Sequence, residues 1–334
     1  MVVSSVWFAG PRQVELRSEP EAQLGATDVR IEAIASALSH GTEMLVFRGQ
    51  VPEGMGLDLP TLRGSFAFPI KYGYASVGRI VETGPQVGSL RVGELVFVLH
   101  PHQTGYVVPE TMAVRLPGGL SPEQGVFVAN AETATNIVLD AAPRLGERVI
   151  VFGQGVVGLL ITQLLKRTGA SQVAVVDPIE RRRQLARQVG ADAAYAPGES
   201  LSGKDFDIAI EASGNAAALD QALTSVAFGG TVVVCSWYGT KPVPLLLGGA
   251  FHRRRLRIVS SQVGTIDAAL QPRWTYARRL AVARDLLPQL QLEPLISHRI
   301  PFARAAEAYR LVDQQPEATV QVLLTYAEPA TSRT

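Results

Sequence analysis

Over roughly the first 119 residues the apolar positions fall in short runs broken by Gly and Pro: VVSSVWFAG, VELRSEP, DVRIEAIASAL, YASVGRIVETG and GELVFVL. Short β-branched or alternating runs between turn residues predict strands, so this half reads as an all-β unit of barrel or sandwich type. The Gly- and Pro-rich stretch from Gly49 to Pro69 reads as a long loop over one end of it. The pattern changes near Ser121. Ser-Pro-Glu is a helix entry, and the apolar positions from Val126 to Leu139 recur at helical spacing. Strands and helices then alternate: RVIVF, a helix, QVAVVD, the helix ERRRQLARQVG, a short strand at AAY, FDIAIEAS, the helix NAAALDQALTSV, TVVVCSW and LRIVSSQ. Such alternation predicts an α/β unit with a parallel, doubly wound sheet. After Thr275 a helix over TYARRLAVARDLLPQL leads to ISHRIPF, the helix ARAAEAYRLVD and a strand TVQVLLTY. That last pattern belongs with the first unit. The expected division is therefore a discontinuous β unit over 1–120 and 290–334, and a doubly wound unit over 121–289. The polar tail EPATSRT is expected to fray.

The chemistry concentrates between Arg148 and Asp177. An apolar strand is followed at once by Gly153, Gly155 and Gly158 in G-x-G-x-x-G spacing, then by a helical run, a second apolar strand and an acid. Each glycine has its own task in a dinucleotide site: a tight turn, close approach of backbone to a pyrophosphate, and close packing of helix on strand. The phosphates rest on N–H groups at the start of the helix, here Gly153, Gln154, Gly155, Val156, Val157 and Gly158. Asp177, nineteen residues past the last glycine, is placed to accept bonds from an adenosine ribose. Its charge would repel a 2′-phosphate and favours NAD(H). NADP(H) stays open because Arg181, Arg182 and Arg183 form a basic run, of which Arg181 and Arg183 read as a solvated helix face.

Composition narrows the classes. A chain of 334 residues accommodates two domains, and 47% hydrophobic with 18% charged residues is ordinary for a soluble globular protein. A net charge of +1 makes no electrostatic case for nucleic acid or a membrane surface. No apolar run is long enough to span a bilayer and the start lacks a signal design, so a cytoplasmic location is the default expectation. Cys235 is the only cysteine, which excludes intrachain disulfides and Cys-rich zinc sites. It reads as a buried strand residue.

The motifs together, in order, resemble the medium-chain dehydrogenase/reductase superfamily of alcohol and polyol dehydrogenases, over nearly the whole chain. The matching pieces are DVRIEAIASALSHGTE, KYGYASVGRIVETG, FGQGVVG, VVDPIERRRQLARQVGAD, FDIAIEASG, FGGTVVV and HRIPFARAAEAYRLVD. The combination SWYG, GGAFHRRRL and SSQ is similar to a zinc-lacking branch grouped with bacteriochlorophyllide hydroxyethyl dehydrogenases. The resemblance implies a GroES-like β-barrel catalytic domain, a Rossmann cofactor domain, and homodimers or tetramers built by pairing Rossmann sheet edges. In it Arg182 matches a basic residue beside the adenosine ribose. Ser213 follows the FDIAIEA strand, and Trp237 follows the strand ending at Cys235; both are candidates for the cofactor site, Trp237 on the nicotinamide side.

The departures bear on metal. Zinc-dependent relatives carry Cys-Gly-Thr/Ser-Asp where this chain reads His40-Gly41-Thr42-Glu43, and Gly-His-Glu where it reads Gly73-Tyr74-Ala75. The third ligand position matches Glu132, and HPHQTGYVVPE stands near the place of a four-cysteine lobe. No structural zinc is expected, and no catalytic zinc, although His40 and Glu132 survive as ligand types and His100 or His102 are possible substitutes. The catalytic candidates are Tyr74 as a proton donor, His40 as an acid/base or relay, Thr42 as a relay hydroxyl, and Glu132 as a base or a partner of His40. The expected function is zinc-independent interconversion of a secondary alcohol and a ketone, with a small-molecule substrate. The alternatives are a quinone or enone reductase using NADPH, and a non-catalytic dinucleotide-binding protein.

Overall fold

Alternation is plain at the N-terminus, where Val6 and Phe8 in β1 (Val2–Gly10) are fully buried beside the half-exposed Trp7. The computed structural model describes residues 2–327 apart from 58, 60, 63 and 202–204. The expected fraying of 328–334 lies outside the described residues. β2 (Gln13–Pro20) pairs with β1, and β3 (Asp28–Ala37) turns Val29, Ile31, Ala33 and Ala35 inward with the two-residue strand period. There follow α1 (Thr42–Phe47), β4 (Ile70–Lys71), β5 (Ser76–Thr83), β6 (Leu95–Val98), β7 (Gly105–Pro109) and β8 (Val114–Arg115). Ser121 caps α2 (Pro122–Gly125) with a capping box, its side chain accepting from Gln124 N while Gln124 bonds back to Ser121 N. The helical stretch expected from Ser121 to Leu139 is divided. α2 stops at Gly125, and α3 (Val128–Ala141) resumes after it.

Next come β9 (Arg148–Phe152), α4 (Val156–Leu165), β10 (Gln172–Val176), α5 (Glu180–Gln188), β11 (Ala193–Tyr195), β12 (Phe206–Glu211), α6 (Ala216–Ser225), β13 (Val226–Val234) and β14 (Arg257–Ser260). α7 (Tyr276–Leu286) is N-capped by Thr275 and ends before Pro288, short of the predicted run, because proline supplies no N–H to continue it. The chain closes with β15 (Ile296–Pro301), α8 (Ala305–Gln314) and β16 (Gln321–Thr325).

These elements form two compact units, Met1–Ala129 with Ile296–Thr334, and Asn130–Leu295. In the first, the described strands form a small sheet β2–β1–β4 and a larger one in the order β15–β16–β3–β5–β6–β8, with β7 also on β3. One long edge of β3 is shared: β7 pairs with its first half (Asp28 to Glu32), and β16 with its end (Ala35 to Ala37). The core there joins both ends of the chain. Tyr309 of α8 meets Phe8 edge-on at 5.0 Å and stacks on Phe47 at 5.4 Å, with Val322 and Leu324 of β16 in the same cluster.

In the second unit the described strands run β11–β10–β9–β12–β13–β14, all parallel. Val149 to Phe152 of β9 are buried without alternation, as expected of a strand covered on both faces. The strand order reverses between β9 and β12, the switch point where doubly wound sheets bind ligands beyond the carboxyl ends of their strands.

Candidate functional site

The predicted residues fall in both units. In the parallel-sheet unit, Gly153 leaves β9 at φ +94°; a Cβ there would lie 2.7 Å from the backbone of Ser213. The loops after β9 and β12 therefore pack backbone to backbone. A Cβ on Gly158 would lie 1.9 Å from Gly153 O, so the first turn of α4 fits only without a side chain. Gly155 differs. It is the N-cap of α4, no side chain caps it, and a Cβ would meet nothing within 4 Å. That leaves an open, positively polarised helix start with room for an anion.

Asp177 is 2% exposed and fastens this loop: Oδ2 accepts from Gln154 N at 2.7 Å and Oδ1 from Ile179 N at 2.9 Å. Its acceptor capacity for a ribose is what these two bonds leave. Arg182 is half-buried on α5. The solvated reading of Arg183 needs correction, since its side chain is 13% exposed, donates to Asp177 O at 2.5 Å and pairs with Glu180. A carbonyl at the end of β10 and an acid one turn away draw it in.

Glu211, which sequence reasoning passed over, is the fully buried centre of the other half of this site. Its Oε1 accepts from Ser213 N and Oγ (both 2.6 Å) and from Gly214 N (2.9 Å), and its Oε2 from Tyr238 OH (2.7 Å). Ser213 is thus held at the end of β12, and the 235–239 segment that carries Trp237 is tied to the same carboxylate. Burial, then the Glu211 charge, drives the Tyr238 phenol far up. Cys235 lies one residue past β13 and is half-buried, so it is not the interior strand residue expected. Its Sγ donates to Glu211 O at 2.8 Å, and burial raises its pKa well above the ordinary thiol range.

Glu132 on α3 pairs with Arg279 of α7, whose Nη2 and Nε lie 3.0 and 3.2 Å from Oε1. Arg279 is 3% exposed and also donates to Asn136 Oδ1 (2.6 Å) and Val263 O (2.5 Å). Burial raises the Glu132 pKa and Arg279 opposes the rise.

In the β unit, the structure brings Tyr74, Thr42 and Ser39 together: both hydroxyl side chains lie close enough to the phenol to lower its pKa. Burial pushes that phenol up to about 12, against the two hydroxyls. His40, half-buried, lies between these two hydroxyl residues in the chain. Behind them is an array legible only in part from the sequence. His102 is fully buried, with Nε2 2.9 Å from Glu43 Oε1 and Nδ1 2.7 Å from Ser36 Oγ, which lies 2.8 Å from Tyr326 OH. Glu43 Oε1 also accepts from Tyr309 OH, and Oε2 accepts from Ser39 N at 3.0 Å. His100 stacks on Tyr106 at 3.9 Å, and burial lowers its pKa to about 4.

Donor chemistry in this array does not suit zinc. Both nitrogens of His102 and both oxygens of Glu43 are already engaged in protein hydrogen bonds. Among the described residues, no group of three or more His, Cys, Asp or Glu side chains is arranged to hold a metal ion.

Residues 156–282 match the family of zinc-binding dehydrogenases, a span that contains neither His40, Tyr74 nor Glu132. The chain is 31% identical to D-guloside 3-dehydrogenase of Escherichia coli K12, covering 95% of this chain and 98% of that one. It is 28% identical to 2-desacetyl-2-hydroxyethyl bacteriochlorophyllide A dehydrogenase of Cereibacter sphaeroides, over 97% and 98%. Its fold matches an alcohol dehydrogenase from E. coli CFT073 solved with NADH, with a TM-score of 0.79 and 22% identity over 97% and 99% of the two chains. With the β9–Gly153–α4 turn, the β10 acid and the strand order already in place, these likenesses lead to one conclusion: the chain belongs to the medium-chain dehydrogenase/reductase superfamily and is an oxidoreductase of the alcohol dehydrogenase type.

Proposed function

We propose that the protein interconverts a secondary alcohol and a ketone with NAD(H) and without zinc, and that Tyr74 supplies the proton to the developing alkoxide. The observation that carries this reading is the place of the Tyr74 phenol beside Ser39 and Thr42, where burial pushes its pKa up to about 12 and the two hydroxyls oppose the rise. A phenol so poised stays protonated at neutral pH, so it can hydrogen-bond a carbonyl oxygen and pass its proton as negative charge develops. One well-placed donor of this kind is worth about 3–4 kcal/mol of transition-state stabilisation. The Ser39 and Thr42 hydroxyls then stabilise the phenolate left behind.

The turn from Gly153 to Gly158 would hold the pyrophosphate, Asp177 and Arg182 the adenosine ribose, and Ser213 and Trp237 the nicotinamide side. When bound, the nicotinamide ring supplies or accepts the hydride. The charge on Asp177 supports NAD(H) over NADP(H). The zinc-free mechanism is supported by the donor set, in which the His102 imidazole and the Glu43 carboxylate already bond each other and neighbouring protein groups. A ring hydroxyl of a glycoside is a secondary alcohol, and the guloside relative supports that substrate class. Self-association through the sheet edge is supported by β14, the last strand in its sheet, whose Ile258 is 37% exposed.

The test is a fluorescence titration with NADH and NADPH, followed by NAD⁺ reduction with methyl D-guloside and 2,3-butanediol by wild type and Tyr74→Phe. Tight NADH binding and a turnover lowered about 100-fold in Tyr74→Phe are expected. Failure to bind either coenzyme, or undiminished turnover in the variant, would refute the reading. Sedimentation analysis checks the edge pairing.

A further inference from the structure

We propose that the buried pair Glu43–His102 is a positioning device for the Tyr74 phenol, clamping both chain segments that frame it; this rests on the role given to Tyr74 above. Two contacts define the clamp. On one side, Gly73 sits at φ +121°, and a Cβ there would lie 2.6 Å from His102 Cδ2 and 2.7 Å from Nε2. The imidazole therefore occupies the space that a side chain at position 73 would need, directly before Tyr74. On the other side, the same ring bonds Glu43 Oε1 at 2.9 Å, and Glu43 Oε2 takes Ser39 N at 3.0 Å. Ser39 and Thr42, the hydroxyl residues beside the phenol, thus stand in a segment fastened through Glu43 to the ring that seats Gly73. The path closes on itself: Tyr74, Ser39 and Thr42, Glu43, His102, Gly73, Tyr74.

Burying a carboxylate and an imidazole with no solvent exposure is costly, and well-packed apolar groups of the same volume commonly serve stability as well or better. What apolar groups do not supply is direction. Glu43 bonds three parts of the unit at once: Ser39 N just before α1, the His102 ring and Tyr309 OH of α8. Ser36 and Tyr326 orient the far side of the imidazole. A ring fixed at both nitrogens cannot rotate away from Gly73 without breaking one of these bonds. His102 and Glu43 are positioning residues, with no contact to substrate required of them.

The experiment uses the full-length protein with ¹³Cζ-tyrosine, the Tyr74 resonance being identified by its loss in Tyr74→Phe. His102→Gln and the near-isosteric Glu43→Gln are compared with wild type. In His102→Gln the Tyr74 signal should shift or broaden, and turnover of methyl D-guloside should fall about 10- to 100-fold. NADH affinity, set in the other unit, should stay within about twofold. Glu43→Gln should lower turnover similarly, and by much less when Tyr74 is already Phe. An unchanged Tyr74 resonance in both variants, or equal losses with and without Tyr74, overturns the proposal. Should His102→Gln fail to fold, Glu43→Gln decides alone by the same two readouts. If Tyr74→Phe retains full turnover while the Tyr74 resonance moves in His102→Gln, the proton-donor reading falls and the clamp stands.

Discussion

Replacing Arg279 with Met tests how the parallel-sheet unit holds Glu132. The substitution preserves much of the apolar stem and removes every donor. It takes away two contacts to Glu132 Oε1 and the bonds to Asn136 Oδ1 and Val263 O, all from a side chain 3% exposed. Breaking a buried pair by deleting one partner costs about 3–5 kcal/mol, because the surviving charge is left uncompensated. The sign of the pH dependence follows from Glu132. Burial already raises its folded pKa and Arg279 opposes that rise, so in the variant the folded value climbs further. Between the unfolded and folded values the native state binds more protons, and stability falls as pH increases through that window. The cost of Arg279→Met should thus be larger at pH 7.5 than at pH 5, by about 1.4 kcal/mol for each unit of additional shift. Glu132→Gln in the same background should recover about half of the loss at pH 7.5, since it removes the stranded charge. Urea unfolding followed by circular dichroism at both pH values reads all three. A cost below about 1 kcal/mol, or one that grows toward acid, would refute the account.

Three further outcomes are expected. Gly158→Ala should weaken NADH binding on the order of 100-fold by calorimetry, since its Cβ falls 1.9 Å from Gly153 O and the phosphate turn must move; Gly155→Ala should leave stability within about 0.5 kcal/mol yet still weaken NADH, because only ligand space is filled there. Alcohol oxidation should accelerate about tenfold per pH unit from pH 8 to 10, as the phenolate of a group titrating near 12 becomes populated, and Tyr74→Phe should flatten that slope. Turnover should persist after exhaustive treatment with a strong chelator, with elemental analysis of the same sample; one zinc per chain whose removal abolishes activity would end the zinc-free mechanism.

The parallel-sheet unit was readable because each of its decisions is local. β9, the glycine turn, α4 and β10 lie within thirty residues, and the glycines announce the backbone contacts they permit. The acid at Asp177 was legible as a residue, but the two backbone N–H groups it fastens were not. In the β unit, residues 40–43 and Tyr74 could be marked from the sequence, but their support could not. Glu43 meets His102 across 59 positions and Tyr309 across 266, and no periodicity reports pairings at that range. The same holds for Arg279, an ordinary basic residue on α7 until the fold brings α3 against it from 147 positions away. Composition cannot distinguish a solvated arginine from one buried on a carboxylate. Only the packed neighbours can.

The place of β16 has a consequence for the history of each molecule as it is made. β16 borders the end of β3, and its Val322 and Leu324 join Phe8, Phe47 and Tyr309 in one cluster. A ribosome delivers β3 some 280 residues before it delivers β16, so through most of synthesis the first unit has an open strand edge and an unfilled apolar face. The second unit, by contrast, is continuous in sequence and has all its strands by β14. Synthesis at about 5–20 residues per second then leaves the early half waiting tens of seconds for its last strand. The unit begun first is the one completed last, and the interval between them is when a chaperone, or an aggregating neighbour, has its opportunity.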